Sequence, residues 1–274
     1  MGYTGNKKYH SEPIIDFLNQ CCFDDMAYIE PFVGMAHILR RIVNKKSYHA
    51  SDLSPYISVL LCVLQKYHRF PNITKSVYDV VKNCRNTDVT EIVLERLRNA
   101  ICDPIDRQFA YNEIEAFAAL ATPQSKPWNG YQGNKNEGFA HQDYKRLREH
   151  DYLLCLESQT FHKTVFSQKD YLSYDDDLRH CVIYCDAPYK RSARSNQRHY
   201  GSHVADFDHN QFWDKIRKWS ALELGNAVVI SEYEAPSDFA EILQFTKKGT
   251  FGKMNVEKLF MWLPAYAKWK EYFN

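Results

Sequence analysis

Ala27-Tyr28-Ile29-Glu30-Pro31-Phe32-Val33-Gly34-Met35-Ala36 is the stretch whose reading decides the fold. A short apolar run ends in an acid and a proline, a glycine turns the chain, and Ala36 lets a helix pack close. At such a turn the backbone can approach a ligand at the carboxyl edge of a sheet. Before the stretch, apolar spacing predicts a helix over residues 14–22; after it, a helix is expected over 36–42. A second strand is expected near Tyr48-His49-Ala50-Ser51, ending at Asp52. Pro55 suits the first turn of a further helix over 56–66. Strand–turn–helix–strand units of this kind build parallel sheets. Asp52 follows Gly34 by 18 residues, close to the interval at which an acid reads ribose hydroxyls. An ordinary turn with a surface aspartate fits the same residues.

Residues 67–150 read differently. They are charged and helical in pattern, notably over 89–101 and 106–120, and then carry a loop rich in Gly, Asn, Gln and Trp over 123–138. Short apolar runs return at 152–156, 182–185, 227–230 and 256–263, each bounded by polar or turn residues as buried strands are. One α/β sheet domain interrupted by a largely helical insertion is the simplest architecture.

Composition narrows the function classes. The chain has 274 residues, with 35 Lys+Arg against 34 Asp+Glu, and 45% of it is hydrophobic. That excludes wholesale disorder and excludes nucleic-acid binding by bulk charge alone. A locally basic groove stays open. The N-terminal residues MGYTGNKKYHSEP contain no apolar segment, and no run approaches the roughly 20 residues that span a bilayer. No signal peptide and no membrane partner are expected. The eight cysteines form no C-x-x-C pair and read as reduced thiols of a cytoplasmic protein.

The second chemistry-bearing stretch is Val182-Ile183-Tyr184-Cys185-Asp186-Ala187-Pro188-Tyr189. An apolar strand delivers a carboxylate, a proline-stiffened turn and an aromatic ring. The carboxylate and a backbone carbonyl can accept the two N–H groups of an exocyclic amine on a stacked base. A strand end with a capping aspartate fits equally. Lys190, Arg191, Arg194 and Arg198 follow with no acid before Asp206, either to hold phosphates or as a solvated basic loop. His199, His203 and His209 match no compact metal motif, so no metal is expected. No G-x-S-x-G elbow, P-loop or H-E-x-x-H occurs.

Four motifs stand in one order: Tyr3-Thr4-Gly5-Asn6-Lys7, Glu30-Pro31-Phe32-x-Gly34, Ser51-Asp52-Leu53-Ser54-Pro55 and Cys185-Asp186-Ala187-Pro188-Tyr189. Phe207-Asp208-His209, Ser231-Glu232-Tyr233-Glu234-Ala235-Pro236 and Glu257-Lys258-Leu259-Phe260 follow. With these the chain resembles the Dam-type (alpha-class) DNA adenine-N6 methyltransferases, particularly their compact phage and orphan forms. The resemblance covers residues 1–66 and 152–263 well and the middle in outline.

It implies a Rossmann-like, S-adenosylmethionine-dependent methyltransferase domain over 1–66 and 151–274, with a mainly helical target-recognition region inserted over 67–150. Tyr3, Gly5, Asn6 and Lys7 would hold the methionine part of the cofactor. Glu30, Pro31, Phe32 and Gly34 would line its pocket, and Asp52 would take the ribose hydroxyls. The strand end Leu156-Glu157-Ser158 would lie on the adenine side. Asp186 and the Ala187 carbonyl would accept the amine of a flipped adenine, with Pro188 stiffening the turn and Tyr189 stacking. Lys190, Arg191, Arg194 and Arg198 would meet phosphates, while Trp128, Asn129 and Tyr131 would face the bases of double-stranded DNA. The sequence departs from the family pattern twice: D-A-P-Y replaces D-P-P-Y, and Met35 replaces a second glycine in the cofactor loop. Cytosine-N4 methylation is the enzymatic alternative, and a DNA-binding or anti-restriction relative without turnover is the other. A monomer or weak dimer in the cytoplasm of a bacterial or phage-infected cell is expected, with no restriction endonuclease partner specified by any residue.

Overall fold

The computed structural model describes residues 11–34, 36–53, 65, 154–155, 157–188, 207–248 and 254–273. Seven strands form one sheet in the order β3-β2-β1-β4-β5-β7-β6. β1 (Ala27–Glu30) pairs in parallel with β2 (Ser47–Asp52) on one side and β4 (Cys181–Cys185) on the other. β3 (Thr164–Gln168) continues the parallel set beyond β2, and β5 (Ala227–Glu232) continues it beyond β4. β7 (Met254–Trp262) then runs antiparallel between β5 and β6 (Phe239–Lys248).

Every residue of β4 and β5 is buried, as expected for central strands of a parallel sheet covered on both faces. The core on one face joins Ile29, Ile183, Val228 and Ile230 to Phe212, Trp213, Ile216 and Trp219. Those last four lie on one side of the helix His209–Trp219, whose N-terminus Asp208 caps by accepting the Asn210 and Gln211 amides. Fully burying a side chain such as Phe212 contributes about 2 kcal/mol. Lys215 and Lys218 of this helix both pair with Asp176, so the acidic Asp175-Asp176-Asp177 run ties the helix to the loop before β4. No described helix is long and apolar enough to cross a membrane.

By proximity the chain divides into two compact units. One comprises Gly5–Leu53, Lys163–Ser192 and Phe207–Asn274, and the other Met1–Thr4, Ser54–His162 and Ala193–Asp206. The sheet belongs to the first. In the second, the Gln65 side chain donates to the Phe161 and His162 carbonyls.

Several expectations need correction. The first helix spans Glu12–Leu18, not 14–22, because Asn19 turns away to bond the Arg41 carbonyl and Val43 amide. The helix expected over 36–42 is only a 3-10 turn, Leu39–Arg41. Ala36 sits at φ 55°, a left-handed conformation that cannot begin a helix. The strand expected over 152–156 is helical at Leu154 and Cys155, and Glu157 and Ser158 do not end a strand. Glu157 is in a turn, and Ser158 caps the helix Gln159–Lys163, its hydroxyl accepting the Phe161 amide at 3.2 Å. The strand comes directly after, as β3. The last strand ends at Trp262, and Leu263 opens a helix with Pro264 in its first turn. The helices expected over 89–101 and 106–120 and the loop over 123–138 lie outside the described residues, as does all but Gln65 of the helix expected over 56–66.

Candidate active site

Strand order reverses direction at the β1–β4 boundary, and open α/β sheets bind ligands beyond the carboxyl ends of the strands there. β1 delivers Glu30 and the loop Pro31–Gly34 to this edge; β4 delivers Asp186, Ala187 and Pro188. The register Ile29↔Ile183 puts the two strand ends side by side.

The loop after β1 is stitched to the end of β2. The Val33 amide donates to the Ser51 carbonyl at 2.9 Å, and the Gly34 amide donates to Asp52 Oδ2 at 3.0 Å. Gly34 adopts φ 47°, where a glycine is least costly. Asp52 therefore stands at the strand end with its carboxylate oriented by the loop itself. Its carbonyl accepts the Lys169 amide at 3.3 Å, which draws in the residues just beyond β3.

Glu30 lies deeper, only 2% exposed. Its Oε2 accepts the Tyr28 hydroxyl at 2.7 Å and its carboxyl accepts the Leu39 amide. Burial pushes this carboxyl well above the usual range; the Tyr28 bond opposes the shift and the nearby Asp186 charge adds to it. Glu30 thus ties the end of β1 to the turn Leu39–Arg41. Burial also raises the Tyr28 and Tyr184 phenols and the Cys185 thiol, so Cys185 is held as an inert thiol beneath the turn.

Asp186 and Pro188 are half-buried, while Ala187 is 5% exposed and packs into the apolar cluster with Phe212 and Trp213. The methyl in place of a proline ring is therefore absorbed by the core. Above it, Phe32, Tyr171, Phe207 and Phe212 contact one another ring to ring, with centroids 5.3–6.1 Å apart. Burial, with the Asp170 charge, pushes the Tyr171 phenol up to about 12, so it stays neutral. This wall is apolar and suits a flat ligand. Among the described residues no group of His, Cys, Asp and Glu could hold a metal ion.

One edge of the sheet unit therefore brings together Glu30, Pro31, Phe32, Gly34, Asp52, Asp186, Ala187 and Pro188. Glu157 and Ser158 fall in the other compact unit. Tyr3, Gly5, Asn6, Lys7, Met35, Trp128, Asn129, Tyr131, Tyr189, Lys190, Arg191, Arg194 and Arg198 lie outside the described residues. Sequence reasoning passed over Lys169 and Asp170 just beyond β3, and Tyr171 and Tyr174 behind them. The β-branched and aromatic run Thr164-Val165-Phe166 was the signal that a strand ends there.

A seven-stranded sheet of this order, with a glycine loop and a carboxylate–proline turn at its switch point, defines a Rossmann-like α/β methyltransferase. The profile of the D12 class N6 adenine-specific DNA methyltransferases matches residues 3–260, and the chain belongs to that family. Its activity is therefore methylation of adenine N6 in DNA, with a methyl donor of the S-adenosylmethionine type. No curated protein matches the chain. Among solved structures, two of the rRNA methyltransferase aviRa from Streptomyces viridochromogenes are similar. One is 12% identical at a TM-score of 0.36, the other 11% at 0.35, each covering 94% of this chain and 85% of that one.

Proposed function

We propose that the β1–β4 switch point is where S-adenosylmethionine and a flipped adenine of double-stranded DNA meet. The observation that carries this is the adjacency of the Gly34–Asp52 loop and the Asp186-Ala187-Pro188 turn on paired strands. The donor supplies a sulfonium-activated methyl group. Asp52, its carboxylate oriented by Gly34, suits vicinal ribose hydroxyls, and the residues just beyond β3 stand on the adjacent side. Tyr3, Gly5, Asn6 and Lys7 hold the methionine end; Pro31 and Phe32 line the pocket and Glu30 braces it.

The target amine is a poor nucleophile because its lone pair is delocalised into the ring. Asp186 and the Ala187 carbonyl accept its two N–H groups, which favours a tetrahedral nitrogen with the lone pair aimed outward. Pro188 stiffens the turn and Tyr189 stacks on the base. Positioning and electrostatics then supply the rate. Residues 67–150 form a recognition region inserted into the methyltransferase domain of 1–66 and 151–274, with Trp128, Asn129 and Tyr131 toward the bases. Lys190, Arg191, Arg194 and Arg198 meet phosphates. The protein acts as a monomer or weak dimer in the cytoplasm of a bacterial or phage-infected cell.

The test is transfer of labelled methyl to duplex DNA by wild type and Asp186→Ala. The variant is expected to lose roughly a hundredfold or more in rate while donor affinity, measured by calorimetry, stays near wild type. Turnover at the wild-type rate would remove Asp186 from the reaction.

A further inference from the structure

Tyr174 lies outside every motif, yet its hydroxyl donates to Ser51 Oγ at 3.0 Å across 123 residues of sequence. Ser51 Oγ in turn donates to the Pro31 carbonyl at 3.4 Å, and the Ser51 carbonyl accepts the Val33 amide at 2.9 Å. Both side chains are buried, Ser51 at 1% exposure and Tyr174 at 9%. The phenol ring is itself fixed: it packs edge-on to Trp219 at 6.1 Å, and the Lys169 ammonium lies 3.9 Å from its centroid. The Tyr174 carbonyl accepts the ammonium of Lys215. A buried phenol anchored to the helix His209–Trp219 thus reaches, through one serine, the backbone that presents Gly34 to Asp52.

We infer that Tyr174 is a positioning residue for the methyl donor, holding the Pro31–Gly34 loop in its binding shape through the Tyr174–Ser51–Pro31 hydrogen-bond relay. This rests on the reading of that loop as the donor pocket. Two neutral hydrogen bonds in series are involved, so breaking the first frees the serine hydroxyl to turn and slackens the loop. The chemistry at Asp186 is left in place. The effect therefore falls on donor affinity and not on the rate at saturating donor.

The experiment uses the full chain and three variants: Tyr174→Phe, Ser51→Ala and the double. Hydrogen exchange at the Val33 and Gly34 amides of the free protein reads the relay directly. Calorimetry with S-adenosylmethionine reads the pocket. Each single variant is expected to exchange faster and bind more weakly by about three- to tenfold, the ratio one neutral hydrogen bond carries. The double is expected to lose no more than the weaker-binding single, because both changes break one chain. The rate at saturating donor should stay within about twofold for Tyr174→Phe. Unchanged exchange and affinity in both singles would overturn the relay, as would losses that multiply in the double. A wild-type protein that fails to bind the donor would instead remove the pocket, while amide exchange would still judge the relay.

Discussion

The Gly34 amide donates to the Asp52 carboxylate at 3.0 Å, so the loop after the first strand and the acid ending the second fix each other. A glycine with φ 47° turns its N–H toward the neighbouring strand end, and the carboxylate is oriented before any ligand arrives. Preorganisation of this sort lowers the cost of ordering the site on binding.

Removing that carboxylate should weaken the donor complex. Asp52→Ala is expected to reduce S-adenosylmethionine affinity by roughly tenfold or more, since hydrogen bonds to a charged group contribute about 1.5–3 kcal/mol. Calorimetry on the full chain checks it. An unchanged dissociation constant would exclude Asp52 from ribose binding.

Glu30 should give stability a pH dependence of definite sign. Its folded carboxyl is held well above the ordinary 4.5 by burial, so the folded state retains a proton that the unfolded chain has released. The associated stability is full below about pH 4.5 and is lost as pH climbs toward the folded value, at up to about 1.4 kcal/mol per pH unit. Glu30→Gln cannot titrate. Urea melts at pH 5 and pH 8 should show the variant gaining on wild type as pH rises; a difference constant with pH would refute the assignment.

Asn226 should matter to the sheet beyond its size. Its buried side chain accepts the Cys181 amide at 2.9 Å and donates to the Leu178 and Trp219 carbonyls. It joins the start of β4 to the end of the helix His209–Trp219. Asn226→Ala leaves three backbone groups without this partner and is expected to cost about 3 kcal/mol or more. Chemical denaturation measures it, and a loss under about 1 kcal/mol would show that the site relaxes around the change.

The parts legible in the sequence were those with a local signature. β4 and β5 are buried on both faces and read as unbroken apolar runs. The 18-residue interval singles out Asp52 at the end of the second strand, and the structure adds that the Gly34 amide bonds its carboxylate. The edge strands β3 and β6 were missed because each has only one neighbour and carries no buried run; Val165 is 60% exposed. The helix after Ala36 shrank to a turn for a reason that side-chain type does not announce, a left-handed alanine. The Tyr174–Ser51 bond left no trace because its partners are 123 residues apart and no spacing rule reaches so far.

The central claim is that this chain moves a methyl group to adenine N6 in DNA. Incubating the full chain with S-adenosylmethionine and unmethylated duplex DNA, then digesting to nucleosides for mass spectrometry, tests it most directly. N6-methyladenine is the expected product; N4-methylcytosine in its place, or donor binding with no methylated nucleoside, would contradict the account.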